Sequence, residues 1–347
     1  MNLPKHVLGV ETTCDETAAA VVCDGSVVLS NVVRSQVPLH LQYGGVVPEI
    51  AARAHIEWLN DIIDMAFQQA QVKSEQIDAI GVANCPGLVG CLLVGVSAAK
   101  ALAFAWDRPL IGVDHVHAHL YAALLGDADT APPPRPALPA LGLVISGGHT
   151  SLYLVENFAC LKRLGSTIDD AVGEAFDKVA AILQLGYPGG PLVEKLAANG
   201  NPGAVKFPVS LLGKDSLDFS FSGLKTAVLY HVNGPRGIER DASSMSEDAK
   251  ANVAASFQKA SAEVLCTKIR RALENYNVRS VIVGGGVSAN TVVRKALQDV
   301  GASRGLPVFL PPLRYCTDNA AMIAGLASDL FNQGHFDGLD LTAVATV

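Results

Sequence analysis

The 347-residue sequence predicts an α/β protein built from two lobes of like order. Three observations carry that prediction. An apolar run that turns back on itself occurs twice, at 7–22 and 141–155. An apolar run that enters a glycine turn and then a helix occurs twice, at 77–87 and 278–290. A third apolar run closes each half, at 109–113 and 307–310.

The elements follow in order. In the first hairpin, 7–10 is a strand, Glu11-Thr12-Thr13-Cys14-Asp15 a polar turn, and 18–22 the return strand. In the second, 141–145 runs into Ser146-Gly147-Gly148-His149-Thr150, and 151–155 returns. Residues 49–72 have helical spacing. Ser244 with Glu247 reads as a capping box opening a long helix to about Tyr276. Residues 79–99 carry no charge and imitate a membrane span, but Asn84-Cys85-Pro86-Gly87 breaks the run early. Strand, turn and helix explain it better. The proline-rich segment 127–136 connects the halves, which places one lobe at 1–126 and the other at 127–318, with a helix of about 319–347 packing back on the first. Two lobes that each start with a hairpin suggest an actin-like, duplicated ATPase architecture with its ligand in a cleft between lobes. The rival is two doubly wound domains without the duplication.

Half of the residues are apolar and 17% charged, which excludes a largely disordered chain. A net charge of −7 disfavours a generally basic nucleic-acid binder and leaves room for a local patch such as Lys268, Arg270, Arg271, Arg294 and Lys295. Seven cysteines without a CxxC pair fit a reducing cytoplasm, and the N-terminus has no secretory look.

Of nine histidines, His115, His117 and His119 fall at alternate positions. The apolar run before them reads as a buried strand ending at Asp114, and the stretch after them as a helix ending by Gly126. On a helix, His115 and His119 share a face and His117 points away. Such a pair alone is weak evidence for metal against solvated or capping histidines. If the lobes face each other about a pseudo-twofold axis, Asp318, after the equivalent strand of the second half, meets the pair. Two imidazoles and a carboxylate suit Fe(II) or Zn(II). The alternative makes Asp318 a helix cap, a role Thr317 could take instead.

Ser146–Thr150 is a glycine turn whose amides suit phosphate oxygens, or a plain hairpin turn. Gly284-Gly285-Gly286 before Asn290 lets a ligand approach the backbone, without the spacing of a dinucleotide or Walker loop. Asp170, Glu174 and Asp177 share one face of an acidic helix, either solvated or, beside the turn Tyr187-Pro188-Gly189-Gly190-Pro191, suited to ribose hydroxyls.

These motifs, with Tyr43-Gly44-Gly45-Val46-Val47-Pro48-Glu49, Pro86–Gly90 (PGLVG) and Asp218–Thr226 (DFSFSGLKT), together resemble the TsaD family over about residues 7–330. The family transfers a threonylcarbamoyl group from threonylcarbamoyl-AMP to N6 of adenosine 37 in tRNA, and AMP leaves. The resemblance implies an actin-like (ASKHA) fold. It implies a divalent metal, iron above zinc, on His115, His119 and Asp318. It implies an adenylate site from Val144, Ile145, Ser146, Gly147 and Gly148 with Asp177, Gly190, Glu194 and Asn290. It further implies TsaB-like and TsaE-like partners and a cytoplasmic setting. Glu11 and Asp15 are candidates for proton transfer or tRNA placement, and no general base is assigned. The sequence departs from the family at His117, where a glutamate is usual. Competing readings are an actin-like ATPase or kinase, a metalloprotease, which lacks HExxH, and a non-catalytic scaffold.

Overall fold

The computed structural model describes residues 5–130 and 133–346. The chain divides into two compact units, Met1–Arg135 with Pro311–Val347, and Pro136–Leu310.

In the first unit, β1 (His6–Glu11), β2 (Glu16–Cys23) and β3 (Val27–Ser35) form an antiparallel meander. A short helix α1 (Val37–His40) and the long α2 (Pro48–Ala70) lead to β4 (Ile77–Cys85), which lies parallel to β1. Helix α3 (Val89–Trp106) leads to β5 (Leu110–Asp114), parallel to β4, and then come α4 (His115–Tyr121) and β6 (Gly126–Asp127). In the second unit, β7 (Ala140–Ile145), β8 (Thr150–Asn157) and β9 (Cys160–Ser166) repeat the meander. Helices α5 (Val172–Ile182), α6 (Gly189–Ala197), α7 (Ser222–Asn233) and α8 (Glu247–Asn275) precede β10 (Ser280–Gly284), parallel to β7. Helix α9 (Thr291–Ser303) precedes β11 (Val308–Phe309), parallel to β10. The chain then returns to the first unit with α10 (Ala320–Asn332).

The two sheets read β5-β4-β1-β2-β3-β6 and β11-β10-β7-β8-β9. Apart from the added β6, they match strand for strand and in the sense of each pairing. The duplication expected from the three repeated motifs is therefore present in the topology.

Strand alternation builds the first core. Leu8 and Val10 enter a cluster with Leu59 and Ile62 of α2 and Val96 of α3. Gly9 faces the other way, where a β carbon would come within 2.8 Å of the Ala324 Cβ, so α10 rests directly on β1. Helix α3 is long and apolar enough to cross a membrane by length and composition. In the structure it buries Cys91, Leu92, Gly95, Val96, Ala99 and Ala103, spaced three to four apart as one helical face requires. Thr12 Oγ1 donates to the Cys91 carbonyl at 2.9 Å and ties the first hairpin's tip to this helix.

Several expectations need correction. The units part at 135/136 and 310/311, where the sequence reading drew 126/127 and 318/319. The cause is β6, whose Gly126 and Asp127 pair with β3, and Tyr315, whose hydroxyl donates to Asp127. Ser246, not Ser244, caps α8 by accepting from Ala249 N at 3.2 Å, a contact worth about 1 kcal/mol. Asn319, neither Thr317 nor Asp318, caps α10 through Met322 N at 3.0 Å.

Candidate functional site

The metal candidates are set by local rules. Strand β5 ends at Asp114, whose carboxylate accepts from His117 N at 2.9 Å and starts α4. One helical turn then puts His115 and His119 side by side, their rings 4.8 Å apart and edge to face. Because Asn319 takes the capping role, the preceding Asp318 side chain turns toward them. Its Oδ1 lies 3.2 Å from His119 Nε2 and 3.6 Å from His115 Nε2. The ligand atoms of these three residues all lie within 4.8 Å of one another. His117 is outside the group and stands 3.9 Å from Asp114.

All three residues belong to the first unit. The sequence reading brought Asp318 to the pair from the opposite lobe. That part is corrected: after β11 the chain crosses back before reaching Asp318.

The donor set fits a divalent cation. Both imidazoles are buried, and each directs Nε2 to the same carboxylate oxygen. The surroundings are acidic. Burial, then the Asp318 and Asp15 carboxylates, push Glu16 up to about 9. Burial would lower His115, but the Glu11 and Asp318 carboxylates outweigh it and raise it to about 10.

Glu11, read from the sequence as a candidate for proton transfer or tRNA placement, is fully buried. Its Oε2 is 2.8 Å from His115 Nδ1 and its Oε1 accepts from Thr13 N at 2.6 Å. The signal available in the sequence was a carboxylate closing an apolar strand, since buried acids almost always have a partner.

The adenylate candidates lie in the second unit. Val144 and Ile145 end β7 and are buried. Ser146 Oγ accepts from His149 N at 3.2 Å, and Ser146 N donates to the His149 carbonyl at 2.8 Å, which makes the turn tight. Gly147 and Gly148 are exposed and face open space. A β carbon on Gly173 would meet the Gly147 Cα at 2.8 Å, so the N-terminus of α5 abuts this turn. Glu174 N donates to the Gly147 carbonyl at 3.1 Å. Further along α5, Asp177 Oδ1 accepts from Gly189 N at 2.8 Å and so fixes the turn that carries Gly190. Glu194 Oε1 accepts from Thr291 N at 2.7 Å and from Thr291 Oγ1 at 2.6 Å. Asn290 caps α9 with Oδ1 and donates from Nδ2 to Gln258 Oε1 at 2.8 Å. Glu194, Gln258 and Thr291 line one cavity of 530 Å³. The turns after β7 and β10 touch, because Gly285 packs on the Ile145 carbonyl. Ligands of parallel α/β sheets gather at such strand ends.

Each of the five basic candidates has a partner. Lys268 is buried and donates to the Leu211 and Ser216 carbonyls at 2.8 and 2.7 Å. Arg271 Nη1 binds the Leu211, Gly213 and Ser216 carbonyls. Arg270 pairs with Glu263, Lys295 with Asp299, and Arg294 Nε donates to the Ser288 carbonyl. Lys268 and Arg271 thus fasten the 211–216 loop to α8, while half-buried Arg270 and exposed Lys295 pair within their own helices.

Two units with matched sheets, one holding two buried histidines beside a partly exposed carboxylate, define an actin-like protein with a metal-capable centre. Solved structures agree on the fold. T. kodakarensis HypF is similar with a TM-score of 0.59 and 18% identity, over 98% of this chain and 50% of that one. Component A of the Acidaminococcus fermentans (R)-2-hydroxyglutaryl-CoA dehydratase gives 0.50 and 16%, over 93% and 98%. The sequence model for TsaD, tRNA N6-adenosine threonylcarbamoyltransferase, matches residues 27–325. The enzyme of that name from Moorella thermoacetica is 49% identical over 339 residues, 98% of this chain and 96% of its own. That of Symbiobacterium thermophilum is 50% identical over 340 residues, 97% and 95%. The chain belongs to the TsaD family, and its activity is threonylcarbamoyl transfer to N6 of adenosine in tRNA.

Proposed function

We propose that the donor is threonylcarbamoyl-AMP, the acceptor is adenosine 37 of tRNAs that read codons beginning with A, and His115, His119 and Asp318 hold one divalent ion, Fe(II) or Zn(II). The observation that carries the metal reading is the meeting of the two Nε2 atoms at one Asp318 oxygen.

In this reading the adenylate of the donor lies on the second unit. The Val144–Gly148 turn, backed by the N-terminus of α5, offers amides to the phosphate. Asp177 accepts from ribose hydroxyls beside Gly190, and the Glu194 and Asn290 region receives the base. N6 of the adenine attacks the carbamoyl carbon, the bond from that carbon to the phosphate oxygen breaks, AMP departs and the N6 proton is lost. The amine is a poor nucleophile because its lone pair feeds the ring, so the donor carbonyl has to be activated. A divalent ion, if held by His115, His119 and Asp318, would supply Lewis-acid polarisation and positive charge. The anticodon-loop base is reached without opening a duplex.

We propose further that a TsaB-like protein covers the exposed apolar side of α3, with a TsaE-like ATPase as a further partner. Val89, Leu93 and Phe104 are exposed and lie on one side of α3, apolar side chains of the kind that interaction surfaces use. Leu93→Glu with Phe104→Glu would then abolish co-purification of the TsaB-like protein; intact co-purification moves the interface elsewhere. A cytoplasmic setting fits a tRNA substrate and seven free cysteines.

The test is direct. The protein with both partners, threonylcarbamoyl-AMP and unmodified tRNA should yield threonylcarbamoyladenosine on nucleoside mass spectrometry, with AMP in equal amount. AMP release without the modified nucleoside would reject the acceptor.

A further inference from the structure

We infer that Glu11 is a positioning residue that fixes the ring of His115 from behind, holding Nδ1–H so that Nε2 faces Asp318. The inference deepens the metal reading above and depends on it.

The geometry separates this role from acid–base catalysis. Glu11 closes β1 and is fully buried, and both its oxygens are occupied: Oε1 by Thr13 N at 2.6 Å, Oε2 by His115 Nδ1 at 2.8 Å. Thr13 Oγ1 is also near Nδ1, at the longer distance of 3.3 Å. A carboxylate accepts and does not donate, so the proton of this contact sits on Nδ1. In the neutral ring that binds metal, the lone pair is then on the other nitrogen, on the side of Asp318, 3.6 Å away. Such a contact also raises the basicity of the ring as a ligand.

His119 has no counterpart. Among the described residues its Nδ1 is buried without a hydrogen-bond partner. The two imidazoles are therefore unequal, since only that of His115 has a carboxylate on its Nδ1. The pin itself is rigid. The tip it belongs to is tied to α3 by Thr12 Oγ1 on the Cys91 carbonyl and by Leu88 N on the Thr13 carbonyl, 2.9 Å each.

Zinc serves as the probe, on the full chain, with affinity read by competition against a chelator. Glu11→Ala should weaken zinc binding by about 10–100-fold, and Glu11→Gln by less, because the amide oxygen still accepts from Nδ1–H. In zinc-loaded protein labelled with ¹⁵N-histidine, His115 should show a protonated Nδ1 with a downfield, slowly exchanging proton, which Glu11→Ala removes. Glu11→Gln saturated with zinc should keep the wild-type pH profile of transfer. Zinc affinity within threefold of wild type in both variants, or metal on His115 Nδ1, would overturn the inference. A displaced limb of the pH profile in Glu11→Gln would make Glu11 an acid–base group instead. If Glu11→Ala does not fold, Glu11→Gln and the wild-type spectrum decide. Wild-type protein that binds no zinc at all would reject the metal reading itself, a result distinct from equal binding by wild type and variants.

Discussion

His119 Nε2 lies 3.2 Å from Asp318 Oδ1, although the whole second unit separates the two residues in the chain. The return crossing after β11 has a clear chemical consequence, completing a donor set that α4 alone leaves as a bare pair of imidazoles. His115→Ala, His119→Ala and Asp318→Ala should each drop metal content, read by plasma mass spectrometry after anaerobic purification, below a tenth of wild type. His117→Ala and His117→Glu should keep it, because His117 faces Asp114 at 3.9 Å and not the cluster. Loss of metal in His117→Ala equal to that in His115→Ala would reject this ligand set.

Metal binding should depend on pH in a definite sense. The carboxylates around His115 raise it from 6.5 to about 10. In the metal-free protein its contribution to stability is thus fully present below about 6.5 and is lost as pH rises through about 10. A ligand histidine is neutral, so metal has to displace that proton. Apparent zinc affinity should rise about tenfold per pH unit between about 6.5 and 8.5. Affinity that is flat over this range would show that the ring is already neutral.

Asp177 has two tasks in this account, and two substitutions separate them. Asp177→Asn keeps an acceptor for Gly189 N and loses the charge; Asp177→Ala loses both. Both should weaken binding of an adenylate analogue by about 1.5–3 kcal/mol, the usual worth of a charged acceptor. Only Asp177→Ala should also lower the melting temperature. Calorimetry giving wild-type affinity in Asp177→Asn would remove Asp177 from the ribose site.

Lys268 gives a stability signature in the second unit. Burial, then the nearby Arg271, pull it from 10.5 down to about 8. For a lysine lowered on folding, the unfolded chain holds the proton to higher pH, so the penalty is full below about 8 and is relieved as pH rises toward 10.5. Between about pH 7 and 10, wild type should gain on Lys268→Met by on the order of 2 kcal/mol in urea denaturation. A difference that does not change with pH would mean that the two carbonyls keep the ammonium charged throughout.

Periodicity and repeated order made the fold legible. The hairpins at both lobe starts, the strand–turn–helix pairs and the closing strands all appear where their motifs stand, because short apolar runs flanked by glycine leave few alternatives. The histidine pair was legible for the same local reason. Capping was not. Ser244 and Ser246, or Thr317 and Asn319, are equally good caps by type, and the choice depends on how the preceding turn meets the core. The owner of Asp318 was misjudged because sequence order does not show that the chain crosses back at residue 311. The contact of Glu11 with His115 was not legible because the two lie 104 residues apart. The burial of Lys268 was not legible either, since positive charge in a sequence does not reveal the loop carbonyls that hold it.

One measurement tests the central claim most directly. Transfer from threonylcarbamoyl-AMP to unmodified tRNA, in the presence of the partners, is followed by nucleoside mass spectrometry for anaerobically purified protein, for the same protein stripped by chelation, and for stripped protein given Fe(II). The account predicts loss of threonylcarbamoyladenosine on stripping, recovery with Fe(II), and no recovery in Asp318→Ala. A stripped wild-type protein that modifies tRNA at the full rate would contradict it.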